Sequence, residues 1–266
     1  MPFATVGEVD LFYTEGGTGP SVLLVHDWAC DGTDWCYQSP VLLSDYRSIN
    51  VDIRGHGRSS VPESGYTVRE LAADLAGLLR QLDAAPATVV GHCLGGAIGL
   101  ALGVEYPELV RSVVSIEGSY GYRPEFAKPT AKFIEQLQAP NGHDVARQFV
   151  LSSYYTKHSP AYLKAWHSRR LMGTPIDVLW KTVKGEFFAP DQFALRPQAE
   201  EYLARLQVPL LAIRCGDTAH AMANWEQVHA GHPRSRGVAW PETGHWPHQE
   251  RAIAFNGLLV EWLDSV

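Results

Sequence analysis

The run Gly91-His92-Cys93-Leu94-Gly95-Gly96 follows the apolar stretch Thr88-Val89-Val90 and precedes a helical pattern from Gly96 to Glu105. A turn sharp enough to push one side chain into an exposed, strained position needs neighbours without a Cβ, and Gly91 and Gly95 flank Cys93 at that spacing. Such a turn presents Cys93 as a nucleophile at a helix N-terminus, where the dipole and free N–H groups favour a thiolate and lower its pKa. Gly244-His245-Trp246-Pro247-His248 follows the apolar stretch Val238-Ala239-Trp240. Histidine takes and returns a proton near neutrality, so His245 is read as a base, with His248 as its competitor. Glu117 ends the stretch Ser112–Ile116, at the carboxyl edge of a predicted strand, where ligand sites of open α/β sheets form. A carboxylate there would fix the tautomer of His245 and stabilise its imidazolium.

The elements that must hold these groups alternate. Val22-Leu23-Leu24-Val25, Val51-Asp52-Ile53, Ala87–Val90, Ser112–Ile116 and Val208–Ile213 are apolar runs without a polar face, as in strands covered on both sides. Thr67 to Leu82 places Val68, Leu71, Leu75, Leu78, Leu79 and Leu82 at helical steps, with Thr67 as N-cap. The alternation implies an α/β fold with a doubly wound, mostly parallel sheet and right-handed crossovers. Glu8–Thr14 and Ser21–His26, flanking Gly16–Pro20, read as an opening hairpin. Residues 123–205 form the exception, aromatic-rich and without a buried strand. They are expected to be a helical cap inserted into a core of residues 1–122 and 206–266. Within or beside it, Tyr154, Trp166 and Trp180 are candidate substrate contacts, together with Trp28, Tyr120 and Trp246.

Hydrophobic residues make up 45% and charged residues 19% of the 266, ordinary globular usage that argues against disorder. A formal net charge of −7 offers no attraction for phosphate backbones or anionic lipid, so nucleic acid and membrane are excluded as expected partners. The first ten residues lack the basic start and apolar core of a signal peptide, and no stretch approaches the roughly 18 apolar residues of a membrane span. A cytoplasmic home is expected. Cys30, Cys36, Cys93 and Cys215 form no Cys-x-x-Cys pair, which points to reduced thiols and no metal site.

These residues cover most of the chain, and in them it resembles the α/β-hydrolase superfamily. The resemblance implies that Gly91–Gly95 is the nucleophile elbow and that His245 rather than His248 occupies the loop of the base. It also implies an oxyanion hole from the N–H groups of Leu94 and of Trp28, in the loop His26-Asp27-Trp28. The superfamily usually has His-Gly there, so Asp27 is a departure that leaves its role open. Members commonly carry the acid in a Gly-x-x-Asp loop, but Gly216-Asp217-Thr218-Ala219 puts Ala219 at that position and Asp217 two residues early. Glu117 is preferred over Asp217. Glu117 as acid resembles zearalenone-type lactonases and the cofactor-free dioxygenases that open hydroxyquinolone rings. Trp28 with Asp31, Arg123–Lys128 and His245-Trp246-Pro247 add to the dioxygenase likeness, while Leu94 and Ala97 depart from it. Cys93-Leu94-Gly95-Gly96 resembles the elbow of dienelactone hydrolase. Asp52–Ser59 resembles a structural loop of the superfamily, and His56 is read as scaffold.

The resulting expectation is a cofactor-independent hydrolase of a lactone, ester or activated carbonyl in an apolar or aromatic small molecule, with Cys93, His245 and Glu117 as catalytic residues and a homodimer compatible with the sequence. Two alternatives stay open. A His245–Glu117 dyad could deprotonate a hydroxylated N-heteroaromatic that then reacts with O2, or the fold could serve as a non-catalytic small-molecule receptor.

Overall fold

The computed structural model describes residues 3–266, so Met1 and Pro2, which open the segment read as core, lie outside the described residues. Its strands are β1 (Phe3–Val6), β2 (Val9–Gly16), β3 (Ser21–Val25), β4 (Arg47–Val51), β5 (Ala87–His92), β6 (Val110–Ile116), β7 (Leu210–Cys215) and β8 (Arg236–Trp240). They form one sheet in the order β1-β2-β4-β3-β5-β6-β7-β8. β1 and β2 run antiparallel, as do β2 and β4, and every later pairing is parallel. The order reverses around β3, the signature of a doubly wound sheet.

The opening hairpin is not the expected one. β2 pairs with β1 and β4, while β3 lies beyond β4. The apolar run Val22–Val25 needs cover on both faces, which a central parallel position supplies and a hairpin edge does not.

Parallel register brings the chemistry to one edge. His92 pairs with Ile116 and Ile116 with Ile213, so Cys93 and Glu117 leave the sheet together at the carboxyl ends of β5 and β6, beside Arg214 near the end of β7. The helix after β5, Leu94–Glu105, is buried continuously from Leu94 to Gly103, which fits its lack of polar side chains. The helix Val68–Gln81 starts at a complete capping box, Thr67 with Glu70, and buries the face that its leucine spacing predicted.

Between β6 and β7 lie a short 3-10 helix, Pro124–Phe126, and five α-helices, with no strand: Ala127–Leu137, Gly142–Ser153, Ala161–Gly173, Ile176–Phe188 and Gln198–Ala204. The chain enters and leaves this helical segment side by side, with Tyr122 N–H donating to Ala194 O (3.0 Å) and Arg196 N–H to Tyr122 O (2.9 Å). A buried ion pair ties the segment to the rest, Arg170 Nη1 to Asp34 Oδ1 at 2.7 Å. Two apolar clusters line the sheet, one joined by the inserted helices and one closed by Phe255, Leu259 and Trp262 of the last helix, Ala252–Ser265.

The elbow has no room for side chains at its glycines. A Cβ on Gly91 would meet Gly95 O at 2.0 Å, and one on Gly95 would meet Val25 O at 2.2 Å. Because the obstructing atoms are backbone, relief requires moving β3 or the helix. Gly95→Ala is therefore expected to lower the unfolding free energy by about 1–3 kcal/mol, measured by urea denaturation, with Gly257→Ala, which meets nothing within 4 Å, as the control.

Candidate active site

Cys93 stands at φ 48°, ψ −105°, between the last residue of β5 and the first of the helix Leu94–Glu105. Its strained backbone is held from both sides, the N–H donating to Ile116 O at 2.8 Å and the carbonyl accepting from Ser119 N–H at 3.0 Å. Glu117 also has a positive φ, 51°, and its N–H donates to Ile213 O at 2.8 Å. Two non-glycine residues strained at neighbouring strand ends mark this edge as the place where side chains are aimed rather than merely packed.

His245 reaches the edge on the loop after β8. Its N–H donates to Tyr154 O (3.0 Å), its carbonyl accepts from His92 Nε2 (2.7 Å), and the Tyr154 ring stacks on the imidazole at 3.9 Å and 15°. Nδ1 faces Glu117 Oε2 at 3.7 Å and Nε2 faces Asp27 Oδ2 at 3.4 Å, ion-pair separations longer than good hydrogen bonds. Catalytic contacts in unliganded sites are often this loose. Glu117 is itself positioned by Cys215 N–H, 2.6 Å from Oε1.

Asp27 Oδ1 accepts from Trp28 N–H at 2.6 Å and from Leu94 N–H at 3.3 Å. Those are the two N–H groups expected to form the oxyanion hole. They converge on a single anionic oxygen, and that oxygen belongs to the protein. The Asp27 carboxylate stands where the oxygen of a tetrahedral acyl intermediate would be held. His26 fixes the loop: Nε2 accepts from Ile53 N–H (3.1 Å), which leaves Nδ1–H to donate to Asp27 O (2.7 Å).

This arrangement sets the protonation states. Burial alone would push His245 down, but Asp27 and Glu117 outweigh it and hold its pKa up at about 9. Asp27 is lowered, with the His245 contact overcoming its burial, and Glu117 is lowered by His245 and the Arg214 guanidinium against the same opposing effect. Cys93 moves the other way. Burial first and the adjacent Asp27 carboxylate second push its thiol well above the ordinary range. The expectation of a thiolate at rest is thereby corrected: the helix terminus is present, but a desolvated thiol beside a carboxylate keeps its proton.

The other expected residues divide. A cavity of about 880 Å³ has Glu117, Tyr120, Tyr154, Asp217 and His245 in its wall. Asp217 has no ion pair with His245, whose carboxylate neighbours are Glu117 and Asp27. Trp28 contributes backbone, its buried indole donating to Leu179 O at 3.0 Å. Trp166, Trp180 and Trp246 do not line the cavity. Trp166 lies on the flank of its helix beneath the Arg170 guanidinium, and the Trp180 indole turns to Asp177. Trp246, next in chain to His245, points the opposite way and is buried against His167 at 3.9 Å. His248 is buried against Trp35 and His56 against His26, away from the carboxylate pair.

Sequence reading missed Glu186, a buried acid on the inner face of the helix Ile176–Phe188 whose Oε1 has no partner. Burial lifts its pKa to about 8, with a Ser119 hydrogen bond opposing, so it is protonated at neutrality. The signal was available as a lone acid in phase with Val178, Leu179, Thr182 and Val183. Donor atoms of Asp27, His92 and His245, and of Asp34, His92 and His248, approach within 4.8 Å and could hold a metal ion. His92 is shared, with Nε2 committed to a carbonyl, so it could serve a metal only through Nδ1.

The chain matches the α/β-hydrolase fold family over residues 20–252. It belongs to that family. Among its relatives, 2-(acetamidomethylene)succinate hydrolase of Mesorhizobium japonicum is 40% identical over 115 residues, which are 42% of this chain and 40% of that protein, so the match spans well under half of the relative's length. A thermophilic esterase from Thermogutta terrifontis superposes with a TM-score of 0.85 at 24% identity, covering 98% of this chain and 96% of its own. The enol-lactonase from Burkholderia xenovorans superposes with 0.83 at 23% identity, covering 99% and 100%. In this α/β-hydrolase-fold chain that likeness extends over nearly every residue and, at these identities, is one of fold. Among the described residues no helix is long and apolar enough to cross a membrane.

Asp27→Asn removes one of two carboxylates from His245, so the imidazole titration followed by NMR should fall from near 9 by about 1–3 pH units. The sign for stability follows. A folded-state pKa above the unfolded value of about 6.5 contributes stability that is fully present below 6.5 and lost as pH rises through 9. The wild type should lose stability across that window in denaturant titrations, and Asp27→Asn should lose less.

Proposed function

We propose that this chain is a cofactor-independent hydrolase of a lactone, ester or activated carbonyl in an apolar or aromatic small molecule, acting through Cys93, His245 and Glu117 under an inserted helical cap. The observation that carries the reading is the convergence of Trp28 N–H and Leu94 N–H on one anionic oxygen beside the strained Cys93. Donors aimed at a point where charge develops are the largest single contribution in acyl transfer. Relatives named as an esterase, an enol-lactonase and a 2-(acetamidomethylene)succinate hydrolase support the same broad class of hydrolysis.

Asp27 gives the cycle its order. An entering carbonyl oxygen displaces the Asp27 carboxylate from the two N–H groups. As it leaves Nε2 the Asp27 carboxylate takes the imidazolium proton and departs as the neutral carboxyl, which leaves His245 as the free base; the proton returns to His245 when Asp27 moves back after product release. The Cys93 S–H proton then passes to His245, sulfur bonds to the carbonyl carbon, and the carbonyl electron pair moves to the oxygen held by Trp28 and Leu94. Collapse breaks the bond to the leaving oxygen, which takes the proton from His245. Water, deprotonated by His245, hydrolyses the thioester and returns Cys93 as the thiol. Glu117 holds Nδ1 throughout. A thiol nucleophile suits enolate or phenolate leaving groups, which depart more readily than alkoxides.

On a panel of aryl esters and enol-lactones, Cys93→Ala should reduce turnover by roughly 10³-fold or more, and Glu117→Gln by up to about 10⁴-fold, far more than Asp217→Asn. Thermal unfolding of each variant checks that the fold is kept. The reverse order for the two acids would make Asp217 the orienting carboxylate.

The filled oxyanion site and protonated thiol favour one second reading, a His245–Glu117 dyad that deprotonates a hydroxylated N-heteroaromatic for direct reaction with O2. Oxygen supply separates the two. Turnover should be undiminished under argon, with ¹⁸O entering the product from labelled water. Incorporation from labelled O2, with activity surviving Cys93→Ala, would replace the hydrolase by the dioxygenase.

A further inference from the structure

The 880 Å³ cavity beside His245 has a wall that the proposed acyl chemistry does not use. Three guanidinium groups face it, from Arg123, Arg196 and Arg214. Arg214 is spent: Nε and Nη2 make a buried two-point pair with Glu226 at 2.8 and 3.0 Å. Glu117 is likewise committed, to Cys215 N–H and His245. Arg196 is different. Its Nε donates to Gly121 O at 2.8 Å, Nη2 points at the weak acceptor Met222 Sδ at 3.4 Å, and the guanidinium lies 4.1 Å over the Trp225 ring. Among the described residues no carboxylate comes within 4.0 Å of Arg196 or of Arg123. The nearby acid Glu200 is occupied by Trp225 Nε1–H at 3.0 Å.

We propose that this cavity is a subsite for the carboxylate of an aromatic organic acid, with Arg196 as the fixed cation, Arg123 as the rim cation and Trp225 and Tyr122 as flanking rings. The cation is built in rather than incidental. Trp225 packs so closely over Gly121 that a Cβ there would meet its ring at 2.5 Å, and the same Gly121 supplies the carbonyl that holds Arg196 Nε. A long flexible side chain is thus pinned by three neutral contacts with the remaining edge of its planar fork free for a planar anion. Burial lowers the Arg196 pKa; Glu200 opposes it, and Arg123 and Arg214 lower it further against Glu226. Asp217, also on the wall, is exposed.

The inference rests on the hydrolase reading only for the statement that the bound acid is the substrate. It makes that substrate an anionic ester or lactone whose carboxylate sits in this cavity, on whose wall Glu117 and His245 also stand.

Binding is measured without turnover by titrating wild-type protein calorimetrically with 2-naphthoate and with its neutral counterpart 2-naphthamide. The acid is expected to bind at least about tenfold tighter, the worth of one charged hydrogen-bonding contact. Arg196→Gln should abolish the preference, and Arg123→Gln, at the exposed rim, should reduce it about two- to fivefold with added weakening by salt. Equal binding of acid and amide by wild type, or a preference that survives Arg196→Gln in a folded variant, would overturn the subsite. Failure of the hydrolase reading shows elsewhere, as loss of activity under argon or its survival in Cys93→Ala, and leaves the binding result intact.

Discussion

A carboxylate taken out of water costs several kcal/mol unless hydrogen bonds and opposite charge replace its solvation. Asp27 is 1% exposed and receives all of its replacement from the site: two backbone N–H groups on one oxygen and the His245 imidazolium on the other. The backbone donors exist only because β5 ends in the strained Cys93 turn and β3 ends in the loop that His26 holds. The imidazolium stays charged because Glu117 stands on its far side. Elbow, loop and base therefore form one electrostatic unit, in which moving any member changes the protonation of the others.

Much of the fold was legible because the apolar runs lack polar faces and the leucines of Val68–Gln81 keep helical spacing. The first hairpin was misread because alternation over Glu8–Thr14 identifies a strand but not its partner; pairing with β4 is a long-range choice made by burial of Val22–Val25. At the site, glycine spacing revealed the Cys93 turn, and the ends of apolar runs revealed Glu117 and His245. Protonation was not legible. Sequence locates Cys93 at a helix terminus, which argues for a thiolate, but desolvation and the Asp27 charge depend on three-dimensional distance and win. Asp27 was visible as a departure from the usual His-Gly pair, yet nothing in one dimension says that its side chain turns back onto its neighbour's N–H. Trp166, Trp180 and Trp246 were read from composition alone, and composition does not specify which face of a helix or loop looks into a cavity.

Groups outside the proposed acyl-transfer machinery follow the same rule of charge matching. Buried cations are matched, Arg170 by Asp34 and Arg214 by Glu226, at 2.7 and 2.8 Å. Of the three arginines on the cavity wall, Arg123 and Arg196 have no carboxylate within 4.0 Å among the described residues. Glu186, neutral in its apolar helix, adds a proton donor above Ser119 without adding a charge. Specificity in such a site comes from which charges have been left unanswered as much as from shape.

The Tyr154 ring that covers His245 belongs to the helical segment, and its carbonyl holds the His245 N–H. The base is therefore shared property of two parts of the chain that are remote in sequence. Helical insertions of this kind look exchangeable, a module to be swapped for a new pocket while the sheet keeps the chemistry. Here the exchange is not free. A transplanted segment without a flat ring and a carbonyl at the end of Gly142–Ser153 would leave the imidazole uncovered and its loop untied. Any segment set in its place has to bring both halves of this clasp with it, the ring as well as the carbonyl.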